Sequence, residues 1–481
     1  MIEKKQFYIN GAWVDPIDGR DCEVIDPSTE EPCAVISLGG DADADSAVAA
    51  AKAALPGWMA TPVADRIALV EKLLDVYAAK GEDMAQAMTL EMGAPIDMSR
   101  TSQVGAGSYH LKNFIRAAKA FDFEAPFGDK FPNDRILYEA VGVAALITPW
   151  NWPMNQVTLK VGAAAIAGCT MVLKPSEESP LNAVLFAEMM HEAGFPPGVF
   201  NLVNGDGAGV GTRLSSHPDV DMVSFTGSTR AGKLISKAAA DTLKRVHLEL
   251  GGKGANLIFA DADEKAVKRG VLHMMQNSGQ SCNAPSRMIV EASVYDHVVE
   301  QAAEVAAKVT VGPASQEGRH IGPVVNAVQW GKIQDLIQKG IDEGARLVAG
   351  GLGRPEGLNK GFYVRPTVFA DVTPDMTIAR EEIFGPVLSI MKFEDEAQAI
   401  AMANDTPYGL TNYAQTADGA RRNRLARQLR SGMVEMNGLS RAPGSPFGGM
   451  KQSGNGREGG IFGIHDFLEI KAVAGWDPDA E

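Results

Sequence analysis

The sequence predicts an α/β protein built from two lobes. From residue 141 onward, strand-like runs (VGVAALIT, TMVLKP, VFNLV, MVSFTG and RVHLEL) alternate with helical segments, which favours a parallel sheet covered by helices. A second series of the same kind begins at Asn256 and continues to about residue 452. Because 481 residues exceed what one hydrophobic core usually serves, we expect two lobes with a cleft between them.

The elements before residue 141 follow other patterns. FYINGAWV and DCEVIDP alternate polar and apolar residues around an Asn10-Gly11 turn, which predicts short antiparallel strands. Apolar residues recur at three- and four-residue spacing in 43–55, 62–91 and 97–114, which predicts helices. Residues 122–140 are rich in Pro, Gly and charge, and this composition indicates a surface loop that ends in a strand-like run.

Composition bounds the class of function. The formal net charge of -15 argues against nucleic acid or an anionic membrane as a partner. The four cysteines have neither CxxC nor metal-site spacing, so we expect no disulfide framework, no metal and a reducing cytoplasm. The N-terminus lacks a secretory signal, and the uncharged run 141–159 contains prolines and amides that disfavour a membrane helix.

One cysteine stands in a string that suits catalysis. Cys282 ends the string GQSC, between a helical segment and a strand. A cysteine attacks only as its thiolate, so a catalytic one needs a nearby base or positive groups and some exposure. Taken alone, Cys282 is more often an inert buried thiol, and its interpretation depends on companion residues.

An amide and a carboxylate are candidate companions. Asn151 lies in PWNWP directly after a strand, where ligands bind open α/β sheets, and its amide could stabilise an oxyanion. Its alternative is a cap for the next helix. Glu249 lies in ELGGK after another strand and could activate water. The alternative for Glu249 is an exposed carboxylate at a strand end.

Two further strings suit a dinucleotide. Lys174 and Glu177 follow a strand and could contact ribose hydroxyls, although a surface ion pair is the alternative. FTGS places Gly227 at a strand-to-helix turn that could receive a pyrophosphate. The string Gly205-x-Gly207-x-Gly209-x-Gly211 matches glycine-rich motifs better, and glycine turns alone are weak support.

Together these strings resemble the aldehyde dehydrogenase superfamily over nearly the whole chain. PWNWP, VLKPSE, FTGS, ELGGK and GQSC are joined by EEIFGPV (381–387), NDTPYGL (404–410) and PFGGMKQSG (446–454), all typical of that family. The resemblance implies a non-acylating, NAD(P)-dependent enzyme that oxidises an aldehyde to a carboxylic acid. The resemblance is also the reason to assign the pyrophosphate turn to Gly227 and Gly232 and not to the upstream glycine string.

The resemblance also implies roles for particular residues. Cys282 would attack the aldehyde, Asn151 would hold its oxygen, and Glu249 would activate the water that hydrolyses the thioester. Glu458 resembles a second carboxylate used for proton relay. Glu177 favours NAD, with NADP use left open. The implied cofactor contacts are Thr148, Pro149, Trp150, Lys174, Glu177, Gly227, Ser228, Gly232, Leu250, Gln329, Lys332, Glu382 and Phe384.

The family fold further implies a domain division and an oligomer. We expect a Rossmann-like dinucleotide-binding domain (1–121 and 141–251), an α/β catalytic domain (252–452) and a small β oligomerisation arm (122–140 and 453–481). In that arrangement, residues 122–140 become a hairpin that pairs with the tail near 467–473. A homodimer or homotetramer follows by similarity, because exposed strand edges are otherwise a liability.

The substrate is predicted only by class. The implied tunnel has an apolar wall, and the expected substrates are medium-chain aliphatic aldehydes, aromatic aldehydes or semialdehyde acids. Arg441 is a candidate anchor for a distal carboxylate, with a solvated loop arginine as the alternative. The implied tunnel residues are Trp152, Gln156, Leu159, Ser281, Arg441 and Phe447.

Two alternative functions are weighed against this one. CoA-acylating relatives usually lack a glutamate at the position of Glu249, so this residue favours hydrolysis. An inactive structural or binding homologue is disfavoured because the chemically demanding residue types occur together.

Overall fold

Strands and α-helices alternate through most of the structure, a computed structural model that describes residues 1–131, 133–477 and 480. The strands are β1 (Ile2–Lys4), β2 (Phe7–Ile9), β3 (Ala12–Val14), β4 (Arg20–Asp26), β5 (Glu31–Leu38), β6 (Glu124–Pro126), β7 (Asp134–Ala140), β8 (Val143–Ile147), β9 (Thr170–Lys174), β10 (Phe200–Leu202), β11 (Met222–Thr226), β12 (Arg245–Glu249), β13 (Ala255–Ile258), β14 (Arg287–Glu291), β15 (Arg346–Ala349), β16 (Thr367–Ala370), β17 (Val387–Phe393), β18 (Thr411–Gln415), β19 (Met433–Met436) and β20 (Leu468–Ala474).

The helices cover the faces of the sheets. They are α1 (Asp41–Met59), α2 (Val63–Ala79), α3 (Gly81–Met92), α4 (Ile96–Met98), α5 (Val104–Lys119), α6 (Pro153–Ala167), α7 (Leu181–Glu192), α8 (Thr212–Ser216), α9 (Thr229–Ala239), α10 (Ala266–Met275), α11 (Tyr295–Ala307), α12 (Ala327–Asp342), α13 (Thr377–Arg380), α14 (Glu396–Asn404), α15 (Gly419–Gln428) and α16 (Gly460–Asp466). Within the described ranges, none of these helices is both long and apolar enough to cross a membrane.

The first large sheet has a reversal of strand order at its centre. Its order is β12-β11-β8-β9-β10-β2-β3, and the five strands from β12 to β10 are parallel. The chain therefore adds β9 and β10 on one side of β8, and then β11 and β12 on its other side. In such doubly wound sheets, ligands bind at the carboxyl ends of the strands beside the reversal. Hydrophobic clusters formed with the covering helices pack against the sheet.

The second large sheet repeats this plan. Its order is β15-β16-β17-β14-β13-β18-β19, and only β15 is antiparallel to its neighbour in this part of the described chain. Separate apolar clusters pack with its strands. The two parallel sheets confirm the α/β class and bring the loops after β8, β11 and β12 near those of the second sheet.

A three-stranded arm extends from the first lobe. Residues expected from composition to form a surface loop instead form the hairpin β6–β7, and β20 pairs antiparallel with β7 from Leu468–Ala140 to Ala474–Asp134. This is the pairing of hairpin and tail that the family resemblance implied. Residues 132, 478, 479 and 481 of the predicted oligomerisation domain lie outside the described residues.

The N-terminal elements differ in detail from the sequence prediction. Asn10 and Gly11 do form the turn of the hairpin β2–β3, with positive φ at both residues. The string DCEVIDP pairs elsewhere, as β4 against β5 in a separate sheet. The helix predicted over 62–91 is two helices, because the chain breaks at Lys80 before Gly81. A π-helical turn, Ser99–Gln103, interrupts the one predicted over 97–114.

Glu91 on α3 joins this helix to the start of α7. The carboxylate is fully buried and accepts hydrogen bonds from the backbone of Leu181 (2.5 Å) and from the backbone and amide of Asn182 (3.0 and 2.5 Å). Burial raises the pKa of Glu91 to about 7. The folded protein therefore binds this proton more tightly than the unfolded chain does.

We expect the stability contributed by the Glu91 proton to be present below pH 4.5 and to be lost as the pH rises to about 7. The slope is at most about 1.4 kcal/mol per pH unit. Melting temperatures of the wild type, Glu91→Gln and the exposed-site control Glu304→Gln, measured from pH 4.5 to 8, check this. Equal pH slopes for the wild type and Glu91→Gln would contradict the expectation.

Candidate active site

The loop that carries Cys282 has an unusual backbone conformation. Asn277, Ser278 and Gly279 all have positive φ, at 52°, 56° and 73°. Positive φ at successive residues is energetically unfavourable where a side chain is present, and it persists only where the surrounding structure stabilises this conformation. At Gly279 a Cβ would lie 2.1 Å from the carbonyl oxygen of Gly385, so a side chain is excluded there. The loop is therefore clamped against the segment before β17.

Hydrogen bonds join this loop to Asn151. The Asn151 Nδ2 donates to the Gln280 carbonyl (3.0 Å), and the Asn277 Nδ2 donates to the Asn151 carbonyl (2.8 Å). The cap of α6 is Trp152, which excludes the alternative that Asn151 caps this helix by its side chain. One N–H of the Asn151 amide is thus anchored, and the other can serve a group in the adjacent cavity.

Two cavities meet at Cys282, which is half-buried. One, of about 220 Å³, lies at the strand-order reversal of the first sheet and also contacts Asn151 and Glu249; we call it the cofactor cavity. The other, of about 380 Å³, lies between α5, α6 and the loop 440–447; we call it the outer cavity. Cys282 and Gln156 line both cavities, so a molecule in either one reaches the same thiol.

Most of the predicted cofactor contacts line the cofactor cavity. Thr148, Lys174, Glu177 and Gly232 do not line it. Those that do line it are Pro149, Trp150, Gly227, Ser228, Leu250, Gln329, Lys332, Glu382 and Phe384.

Glycines keep the walls of the cofactor cavity close together. At Gly251 a Cβ would lie 2.2 Å from the Glu382 carboxylate, and at Gly232 it would lie 2.8 Å from the Leu250 side chain. Ser228 caps α9 through the backbone N–H of Ala231 (3.2 Å), and Gly227 and Ser228 line the cavity next to this helix N-terminus. A cradle of this kind, ending at a helix N-terminus, fits the pyrophosphate of a dinucleotide.

The second lobe supplies the opposite wall. Gln329 Nε2 donates to the carbonyls of Ile383 (3.1 Å) and Phe384 (2.9 Å), and Lys332 Nζ donates to that of Glu382 (2.8 Å). These bonds hold Phe384 at a φ of 60°. Gln329 and Lys332 therefore position the backbone of this wall as well as lining the cavity.

Lys174 and Glu177 form an ion pair between a buried lysine and a half-buried glutamate. The Lys174 side chain is 3% exposed, and its Nζ lies 3.3 Å from the Glu177 Oε2. Lys174 also donates to the carbonyls of Pro175 and Gly205. The upstream glycine string thus packs beside Lys174, next to the predicted ribose contacts, and forms the π-helical turn Gly207–Gly211.

Buried carboxyl groups, those of Glu249 and Glu458, lie near the Cys282 thiol. Glu249 is 2% exposed, which excludes an exposed carboxylate at a strand end, and neither of its carboxylate oxygens has a hydrogen-bond partner among the described residues. Burial and then Glu458 raise the pKa of Glu249 well above its usual value. Burial, then Glu382 and Glu249, likewise raises the pKa of the Cys282 thiol. Burial therefore makes both groups harder to ionise than they would be in water.

The outer cavity contains every predicted tunnel residue and several polar ones that the prediction of an apolar wall missed. Trp152 Nε1 donates to Ser281 Oγ (2.8 Å), which fixes the wall next to Cys282. Helix α5, far away in sequence, brings its polar face to the cavity. The unpredicted polar side chains are Tyr109, His110, Asn113, Asn155, His273, Gln276, Asn283, Glu435, Ser440 and Ser445.

Arg441 lines the outer cavity but is not a free cation. Its Nε donates to Glu435 Oε1 (2.9 Å), a guanidinium nitrogen donates to the Pro446 carbonyl (3.2 Å), and the guanidinium stacks on the Phe447 ring. Glu435 thus balances the charge of Arg441 in this structure, and the role of Arg441 as an anchor for a substrate carboxylate stays a prediction. His110 is also uncharged at neutral pH, since burial lowers its pKa to about 4.

Sequence reasoning missed two buried residues behind Glu249. Lys160 on α6 donates to Glu458 Oε1 (2.7 Å) and to Ser224 Oγ (3.1 Å). His247 lies on β12, two residues before Glu249, with its Nε2 3.7 Å from the Glu249 Oε1. Strand alternation could have revealed His247, because residues two apart share one face of a strand.

We expect Gly279→Ala to lower the melting temperature by about 2 °C or more, because its Cβ would meet the Gly385 carbonyl and its φ is positive. Gly57→Ala is the matched control, since a Cβ at Gly57 in α1 meets nothing within 4 Å. Differential scanning fluorimetry of both variants checks this. Equal melting temperatures would mean that the loop is not clamped as described.

Comparisons with known proteins place this site in a family. The sequence model of the Aldehyde dehydrogenase family matches residues 13–473. A 3-succinoylsemialdehyde-pyridine dehydrogenase from Pseudomonas sp. is 50% identical over 99% of this chain and 100% of its own. The crystal structure of an aldehyde dehydrogenase from Bartonella henselae superposes with a TM-score of 0.98 at 59% identity, covering 99% of this chain and 100% of that one.

A further structure holds ligands. It is a mutant of Aldehyde Dehydrogenase C from Pseudomonas syringae complexed with NAD+ and octanal, with a TM-score of 0.96 and 46% identity over 99% of this chain and 98% of that one. The predicted family and fold class are confirmed by these comparisons, and the predicted nicotinamide cofactor agrees with this complex. The chain belongs to the aldehyde dehydrogenase family and is an oxidoreductase that acts on aldehydes.

Proposed function

We propose that this enzyme oxidises an uncharged aldehyde to a carboxylic acid with NAD, through covalent chemistry on Cys282 and hydrolysis at Glu249. The observation that carries the proposal is the meeting of two cavities at one thiol. Asn151 and Glu249 line the cofactor cavity at that meeting, and the outer cavity gives the thiol access to a second molecule. Nucleophile, oxyanion donor and base are thus assembled at one point.

The residues of the cofactor cavity fit a dinucleotide. Ser228 and the start of α9 would receive the pyrophosphate, and Glu382 with Phe384 would hold the nicotinamide-ribose end. Lys174 and Glu177 would contact the adenosine ribose, where the Glu177 carboxylate disfavours a 2′-phosphate and so favours NAD over NADP. When bound, NAD supplies the acceptor for a hydride. The relative complexed with NAD+ and octanal supports this assignment.

The first half of the reaction forms a thioester. The ionised Glu249 carboxylate takes the thiol proton and gives it up to solvent before the second half, and the Cys282 sulfur bonds to the aldehyde carbon. The aldehyde oxygen becomes an oxyanion, which the free N–H of the Asn151 amide and the backbone N–H of Cys282 stabilise. As the oxyanion collapses, the C=O bond re-forms and the carbon loses its hydride, which leaves a thioester on Cys282.

The second half releases the acid. Glu249 takes a proton from a water molecule, whose oxygen attacks the thioester carbon, and the C–S bond breaks to return the thiolate. A carboxyl with its pKa raised by burial is a stronger base than an exposed one, which suits this step near neutral pH. A glutamate buried next to the thiol favours water over CoA as the acyl acceptor, and favours an active enzyme over an inactive homologue.

The charge balance of the outer cavity favours an uncharged substrate. Arg441 is neutralised by Glu435, and His110 is neutral, so the cavity has no unmatched cation from these residues for a distal carboxylate. The relatives agree: one is named for a pyridine-bearing semialdehyde, and another was crystallised with octanal. The amides of Asn113 and Asn155 favour a substrate with a hydrogen-bonding group beyond the aldehyde.

The arm formed by β6, β7 and β20 suits self-association into a homodimer or homotetramer. β20 lies at the edge of its sheet and exposes Ile470, and the adjacent hairpin exposes Phe127 and Phe131. Apolar side chains on an exposed strand edge favour pairing with another copy. The free state of Cys22, Cys33, Cys169 and Cys282 fits a cytoplasmic location.

The two halves of the reaction can be separated by mutation. We expect Cys282→Ala to abolish turnover without changing the Kd for NAD more than about twofold. Glu249→Gln should lower the steady-state rate by about 10²-fold or more while the enzyme still forms some NADH, because water lacks its base. Stopped-flow absorbance at 340 nm and an NAD titration measure these effects. Wild-type turnover by Glu249→Gln would overturn the assignment of the base.

Substrate charge selectivity tests the outer cavity. We expect Glu435→Gln to raise kcat/KM for succinic semialdehyde relative to octanal by about tenfold, because it leaves the Arg441 cation without its carboxylate. Arg441→Ala is the matched variant and should give no such gain. A wild-type enzyme that already prefers succinic semialdehyde, and loses this preference in Arg441→Ala, would contradict the proposal.

A further inference from the structure

Gln156 is a buried polar residue at the junction of the two cavities. It lies in the first turn of α6, is 4% exposed, and lines both cavities together with Cys282. Its backbone N–H donates to the Trp152 carbonyl (3.1 Å), which anchors this turn of the helix. The side-chain amide is therefore held close to the thiol, between the cofactor cavity and the outer cavity.

The side-chain amide of Gln156 lacks a partner. Its Oε1 is buried and accepts no hydrogen bond from the described residues. Burial of such a group is unfavourable, because the hydrogen bonds that it makes to water in the unfolded chain are lost on folding. The neighbours on α6 do not explain an amide at this position, since Met154, Val157 and Leu159 are buried apolar residues of the core. A molecule that enters the cavities can supply the partner.

The other polar side chains of the outer cavity differ from Gln156 in this respect. Among the described residues that line this cavity, Gln156 alone has a buried side-chain polar atom without a hydrogen-bond partner. Asn155 Oδ1 lies 2.7 Å from His110 Nε2, and Asn113 Nδ2 donates to the Tyr109 carbonyl (2.9 Å). The hydrogen bond that a substrate gains next to the thiol is therefore one to the Gln156 amide.

The position of the amide decides which part of a substrate it meets. In the proposed reaction the aldehyde carbon bonds to the Cys282 sulfur, and the rest of the substrate extends past Gln156 into the outer cavity. A hydrogen bond requires an approach of about 2.7–3.2 Å. The group that contacts the amide must therefore lie on a carbon near the aldehyde and not at the far end of the substrate.

The chemistry of the amide and its surroundings favours an uncharged oxygen. An amide offers a carbonyl acceptor and two N–H donors, and rotation of its terminal torsion exchanges them, so it pairs with a hydroxyl or an oxo group. Glu249 lines the cofactor cavity with Gln156 and is itself buried. A substrate carboxylate at the same depth would be buried beside a like charge, which is unfavourable. A neutral oxygen satisfies the amide without adding a buried charge.

We propose that Gln156 selects aldehydes that carry an uncharged oxygen, a hydroxyl or an oxo group, on one of the first carbons after the aldehyde. This inference rests on the proposed function and names the substrate class within it. The amide hydrogen-bonds this oxygen while the aldehyde carbon lies at Cys282. An unsubstituted aldehyde leaves the amide unpaired, which lowers its kcat/KM. Gln156 takes no part in proton or hydride transfer and is a specificity-determining residue.

Matched aldehydes test this selectivity. Octanal, 2-hydroxyoctanal and 4-oxooctanal have the same chain length and differ only in the oxygen near the aldehyde. Their kcat/KM values are measured from NADH absorbance with the wild type, Gln156→Met and Leu159→Met. Methionine is unbranched and flexible like glutamine but has no amide. Leu159→Met is the matched control, because it changes another part of the outer-cavity wall without changing its hydrogen-bonding groups.

We expect the wild type to prefer at least one of the oxygenated aldehydes to octanal by about tenfold in kcat/KM. Gln156→Met should lose this preference, and Leu159→Met should keep it. A preference for 2-hydroxyoctanal alone assigns the hydroxyl, and a preference for 4-oxooctanal alone assigns the oxo group. Gln156→Met should also melt at the wild-type temperature or above it, because the variant removes a buried amide that has no partner. Its Kd for NAD should stay within about twofold of the wild-type value.

The failures are distinguishable. A wild type without the preference, or a Gln156→Met enzyme that keeps it, overturns the selectivity. An unchanged preference with a Kd for NAD raised by about fivefold or more assigns the amide to the cofactor instead and overturns it as well. If Gln156→Met does not fold, Gln156→Leu provides the same comparison. If Cys282→Ala oxidises octanal at the wild-type rate, the proposed function itself is wrong; if that variant is inactive and the preference is absent, only the selectivity is wrong.

Discussion

Reciprocal hydrogen bonds between the Asn151 loop and the Cys282 loop are the contact on which the site depends. The Asn151 amide donates to the Gln280 carbonyl, and the Asn277 amide donates to the Asn151 carbonyl. The first loop belongs to the sheet of the first lobe and the second loop to that of the other lobe. These bonds therefore set the distance between the proposed oxyanion donor and the proposed nucleophile, which come from different sheets. They also hold the left-handed backbone at Asn277, which would otherwise relax.

Burial of acids beside the thiol gives the site its chemistry. Burial and facing carboxyl groups raise the pKa values of Glu249 and of the Cys282 thiol. A proton moved in such a place must go to a defined acceptor, because bulk water is not in contact with the buried groups.

Substrate choice and chemistry are built from different parts of the fold. The chemistry depends on the carboxyl ends of parallel strands, where loop positions are set by sheet register. The outer cavity depends on helix α5 and the loop 440–447, where one ion pair, Arg441 with Glu435, removes the charge that a carboxylate would need. A change in selectivity thus needs no change at Cys282. This separation agrees with relatives that are named for, or crystallised with, different uncharged aldehydes.

The sequence alone determined the α/β class, the family and the order of the motifs, because strand and helix periodicity and short catalytic strings are local properties. It also determined most residues that line the cofactor cavity. Only the tertiary structure decided which residues from distant segments meet. The polar face of α5 reaches the outer cavity only by packing against the rest of the fold. His247 was visible as a strand neighbour of Glu249, but its place between two carboxyl groups depends on where the chain near Asp466 folds back. Such contacts are long-range, and no local pattern encodes them.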